Sequence, residues 1–89
     1  MLGVFGFSPS CFSPLPVART RQHLKILGDC IRRNRIERGL SQEALAERAE
    51  LHPVYIGKIE RGEQWISLHA LIRVASALSV RVKDLVQDL

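Results

Sequence analysis

The feature that most constrains this chain of 89 residues is a relay of stop and start signals that divides residues 24–89 into short segments of helical periodicity, with no strand pattern. Leu27, Ile31 and Arg35 fall at i, i+4 and i+8 of a first segment that stops at Gly39, and Ser41 caps the next. His52-Pro53 begins a third, since proline is tolerated in the first helical turn, and Arg61-Gly62 closes it. Ser67 caps a fourth. The spacing predicts helices over about 24–38, 42–49, 53–61, 68–78 and 82–88 of an all-α domain. Its core candidates are Leu45, Ala46 and Ala49, then Ile56 and Ile59, then Leu68, Leu71, Ile72, Ala75 and Leu78, flanked by Ala70 and Val74. The last segment adds Val82, Leu85, Val86 and Leu89.

Residues 1–23 read differently. They hold all three Phe, three of the four Pro and no acid, without periodicity, so they are expected to be a flexible, disordered N-terminal tail ahead of one domain, 24–89. Either this tail takes no part in function, or Arg19 and Arg21 make it an arm for a DNA minor groove. Its apolar start lacks a basic n-region and is shorter than a membrane span, which predicts neither export nor membrane insertion and a cytoplasmic protein. Cys11 and Cys30 form no zinc or disulfide pattern. A net charge of +4 favours polyanionic partners, nucleic acid or an acidic surface. His23, His52 and His69 are scattered, and no nucleophile with its base, paired carboxylates or Gly-rich phosphate loop occurs. Hence no enzyme, metal, cofactor or small-molecule substrate is expected.

The unit from Ser41 to Gly62 has the residue sizes of a helix-turn-helix: two short helices crossing steeply need a small residue at closest approach, which Ala46 supplies. Leu51, Ile56 and Ile59 supply the inner apolar face. From Leu27 to about Leu85 the chain resembles the lambda-repressor/Cro family, also called the xenobiotic-response-element (XRE) family. The likeness rests on Gly39-Leu40-Ser41-Gln42-Glu43 with Leu45-Ala46, on Tyr55-Ile56 with Ile59-Glu60-Arg61-Gly62, and on Ala75-Ser76-Ala77-Leu78. The stretch Glu60 to Leu68 is also similar to the small controller proteins of restriction-modification systems. The resemblance implies a five-helix fold whose third helix is the recognition helix. It further implies a bacterial or phage-encoded transcriptional regulator, a repressor for instance, that reads double-stranded DNA in the major groove as a homodimer on a short palindromic operator. The alternative is an antitoxin-like or adaptor module whose helix-turn-helix docks a protein.

Carried over by residue, the resemblance makes Gln42 a phosphate ligand that also braces the recognition helix. It places Val54, Tyr55 and Lys58 on that helix's outward face. Lys58 can donate to guanine or to a phosphate, and Val54 can touch a thymine methyl. Tyr55 has an open choice between packing its ring and using its hydroxyl on phosphate. Arg61 and the Gly62 backbone would meet the phosphate backbone at the helix exit, with Arg32 and Arg33 as further cations. Arg35 and Glu60 match an internal salt bridge of the family, and Leu68, Val86 and Leu89 are the dimer-interface candidates. Several positions depart from the family pattern. Glu50 stands where glycine is usual and positive φ is expected, and His52, Ser79 and Arg81 suggest weak helix junctions. Asn34 replaces an apolar residue. Gly57 inside the recognition helix has two open readings, close approach to a phosphate or no role. Trp65 is expected to be a lid over the core, with a phosphate contact through its indole as the alternative.

Overall fold

The computed structural model describes residues 17–89, and side chains from residue 21 onward. Among the described residues there are five helices and no strand: α1 (Val17–Glu37), α2 (Gln42–Ala49), α3 (Pro53–Glu60), α4 (Leu68–Ala77) and α5 (Val82–Val86). The first helix starts earlier than its apolar stripe suggests. Residues 17–27 contain no Pro or Gly, and adding turns to an existing helix costs little, so α1 extends beyond the part that packs. Arg19 and Arg21 therefore stand on α1 rather than on an extended arm, and residues 1–16, where the rest of the expected tail falls, lie outside the described residues.

Four helices end in one hydrogen-bond pattern. After α1, Gly39 N–H reaches Ile36 O and Leu40 N–H reaches Arg35 O. After α2, α3 and α4 the same two bonds run from Glu50 and Leu51, from Gly62 and Glu63, and from Ser79 and Val80. The motif needs a left-handed residue, which Gly39 and Gly62 adopt freely, while Glu50 and Ser79 are held at φ 59° and 58°. The expected positive φ at Glu50 is present without a distorted turn. Arg73 supports it, bonding the Glu50 carbonyl at 3.4 Å and its carboxylate at 3.5 Å.

Two junctions are better capped than their residue types suggest. His52 Nδ1 accepts from the Val54 N–H at 3.1 Å, so the imidazole caps α3 as a serine would. At α5 the Asp84 carboxylate accepts from the Arg81 N–H at 3.0 Å. Asn34 satisfies its amide on the Cys30 carbonyl at 2.8 Å.

The core gathers Leu27, Ile31, Leu45, Ala46, Ala49, Ile56, Ile59, Leu71, Val74, Ala75, Leu78 and Leu85, with Leu51, Ile66, Val82 and Val86 packed against it. Three expected core residues are outside it: Leu68, Ile72 and the C-terminal Leu89 are exposed. Spacings of three and four allow two overlapping stripes on α4, and α2 covers only the one through Leu71, Val74 and Ala75. Trp65 is no lid either, being 64% exposed, and its neighbour Ile66 closes the core instead.

Candidate nucleic-acid interface

The third helix is fastened from within. Ile56 and Ile59 anchor its inner face, and Glu60, only 3% exposed, ends it inside the protein. The Glu60 carboxylate accepts from Arg35 Nε at 2.6 Å and Nη2 at 3.1 Å, and from Gln42 Nε2 at 3.0 Å. Arg35 Nη1 also donates to the Leu40 carbonyl at 2.8 Å, so one buried cluster joins α1, the turn after it, α2 and α3. A forked guanidinium on a carboxylate is a geometry in which a buried charge can be satisfied.

Gly28 makes this arrangement possible, and its importance is not evident from periodicity. A side-chain carbon there would collide with the Ile59 carbonyl oxygen and come within 2.7 Å of the Glu60 carbonyl oxygen. The backbone of α1 thus lies directly on the end of α3. Its only signal in the sequence is a glycine inside a helical pattern.

The outward side of α3 presents Val54, 57% exposed, and Lys58, also exposed. Gly57 lies between these and the start of α2. A Cβ at Gly57 would be 3.1 Å from Arg61 Nη1 and 3.5 Å from Gln42 Oε1, so the missing side chain leaves room where the amide and the guanidinium converge. Gln42, Glu43, Pro53, Val54, Gly57 and Arg61 line one open concavity of about 310 Å³. Arg61 is held outward by Glu63, through Nε at 2.9 Å and Nη2 at 3.2 Å. This hydrogen bond holds the Glu63 carboxyl below the usual carboxylate range and pushes Arg61 upward.

Other candidates fall elsewhere. The Gly62 N–H is spent on Ile59 O at 3.0 Å, and the residue rests on α1, where a Cβ would come within 3.1 Å of Lys25 Cα. Tyr55 is half-buried with its ring against the core, and its hydroxyl accepts from the Ser67 N–H at 3.2 Å. Arg32 and Arg33 are exposed on α1. Leu68 and Leu89 are 69% and 48% exposed, whereas Val86 is partly buried against the core.

Two short helices with a left-handed turn, the second locked inside and open outside, define a helix-turn-helix DNA-binding regulator. The chain belongs to the XRE-type helix-turn-helix family (HTH_3), whose profile matches residues 31–85. Over 61 residues it is 44% identical to control protein C.SmaI of Serratia marcescens, covering 68% of this chain and 73% of that protein. It is 39% identical over 61 residues to control protein C.BamHI of Bacillus amyloliquefaciens, covering 67% and 75%. Among solved structures, the restriction-modification controller protein C.AhdI from Aeromonas hydrophila superposes with a TM-score of 0.69 at 37% identity, over 70% of this chain and 94% of that one. These relatives are regulators rather than enzymes, and no helix among the described residues is long and apolar enough to cross a membrane.

Proposed function

We propose that this protein is a transcriptional controller of the restriction-modification type, acting in the bacterial cytoplasm as a homodimer on a short palindromic operator. The observation that carries this reading is the split character of α3, whose inner face ends in the buried Glu60 cluster while Val54 and Lys58 stand free. A helix fixed in this way can enter a major groove as a rigid probe. Lys58 supplies a donor for guanine O6 or N7, and Val54 an apolar contact for a thymine methyl. Gln42 has one amide hydrogen committed to Glu60 and one still to give, and its side chain lines the same concavity as Arg61. Together they suit a phosphate at the edge of the groove.

A single recognition helix gives little affinity, and two related by a two-fold axis reach successive major grooves. The proposed pairing surface is Leu68, Leu89 and Val86, the first two exposed and the third partly buried. Selection of binding sites from random duplex DNA, with the full chain and with Lys58→Ala, tests the reading. The expected result is a two-fold symmetric site, with one position per half-site relaxed in the variant. Failure of the parent to enrich any site, together with a shallow salt dependence of DNA binding, would overturn it in favour of a protein-docking module.

A further inference from the structure

The loop after the recognition helix is held in place by a residue of that helix. Tyr55 packs its ring on the core while its hydroxyl oxygen accepts from the Ser67 N–H at 3.2 Å and lies 3.5 Å from the Trp65 carbonyl oxygen. Ser67 is itself the cap of α4, its Oγ accepting from the Ala70 N–H at 3.1 Å, so the tyrosine pins the far end of the loop at a fixed helix start. The near end is pinned by Gly62 at φ 71°, with the Glu63 N–H on the Lys58 carbonyl at 2.9 Å. Between these pins the exposed Gln64 lines a groove of about 350 Å³ with His52, Val54, Tyr55 and Lys58, on the side of α3 that faces outward. A glutamine amide carries donor and acceptor in one plane and matches adenine N6 and N7. Such a side chain discriminates best when the backbone beneath it is held in place, since a loose loop can re-aim the amide and ordering it on binding costs affinity.

We propose that Tyr55 is a positioning residue that latches residues 63–66, and that Gln64, held by this latch, is a specificity-determining residue beside Lys58. The proposal rests on the DNA-binding reading above and goes beyond it by extending the base-reading surface past the helix. Its test is site selection followed by affinity measurement on the selected duplex for the parent, Tyr55→Phe, Gln64→Ala and the double variant. Gln64→Ala is expected to relax one position per half-site by about tenfold, at a base other than the one relaxed by Lys58→Ala. Tyr55→Phe keeps the ring in the core, and should melt with the parent, relax the same position as Gln64→Ala, and add nothing to it in the double variant. Additive losses, or relaxation at a different position, would show the tyrosine hydroxyl acting on DNA directly and overturn the latch. A parent that selects a site to which Gln64→Ala is indifferent would overturn the role of Gln64 while leaving the DNA-binding reading intact. A parent that selects no site would remove both.

Discussion

Two Arg–Glu pairs meet at the end of the recognition helix and differ almost only in where they face. On the inner side Arg35 and Glu60 approach to 2.6 Å with side chains 12% and 2% exposed. On the outer side, one residue later, Arg61 and Glu63 approach to 2.9 Å at 55% and 53%. The chemistry and the forked geometry match, so burial decides the consequence. Removing half of a buried pair strands a charge away from water, whereas an exposed charge that loses its partner is taken up by solvent and salt. The inner pair is therefore a lock on the fold, and the outer pair holds Arg61, its charge masked by Glu63, on the surface proposed to meet DNA.

Four substitutions test that contrast, the most damaging first. Glu60→Ala should lower stability by about 3–5 kcal/mol and abolish DNA binding through unfolding, and a thermal melt equal to that of the parent would break the contrast at its strong end. Gly28→Ala adds only a methyl group, but sets it against the backbone at the Glu60 carbonyl. We expect a loss of about 1–3 kcal/mol in urea denaturation, because neither backbone can yield cheaply. Lys58→Ala, on the outer face, should change stability by no more than about 0.5 kcal/mol in the same denaturation, so that its effect on site selection is read without unfolding.

Glu63→Gln should have the smallest effect on folding, with no measurable shift in melting, and should raise affinity for duplex DNA by freeing Arg61 and removing a negative charge beside it. The same pair makes a pH prediction. Because Arg61 lowers the Glu63 carboxyl in the folded protein, whatever the pair contributes is fully present above the unfolded carboxylate value of about 4.3 and is lost as pH falls through the lower folded value. Melts of the parent and of Glu63→Gln should therefore run parallel between about pH 5 and pH 8, and a divergence inside that window would assign Glu63 a different environment.

Much of this architecture is legible in the residues themselves. The stops at Gly39 and Gly62, the serine caps at Ser41 and Ser67, and the inward placement of Ala46, Ile56 and Ile59 follow from signals a few residues long. Where reading by pattern fell short, the deciding partner was elsewhere. Ile72 fits an apolar stripe as well as Leu71 does, and only the position of α2 makes one core and the other surface. Trp65 is a reasonable lid by residue type, but the loop delivers Ile66 to the core in its place. His52 looks a poor cap until its imidazole is seen on the Val54 N–H. For the proposed interface, the outward positions of Val54 and Lys58 could be counted along a helix. The convergence of Gln42 and Arg61 over Gly57, and the Tyr55 hydroxyl on Ser67, could not.

The sequence by itself determined where each helix stops and which kind of residue each turn requires, because those hydrogen bonds close within about six residues. It also determined the family, through motifs of the same local reach. The tertiary structure alone decided that α1 lies with Gly28 on the end of α3, that Glu60 is shared between Arg35 and Gln42, and that Tyr55 faces its own loop. Each of these depends on the angle at which packed helices cross, set by the whole core together, and no short window of sequence carries that angle.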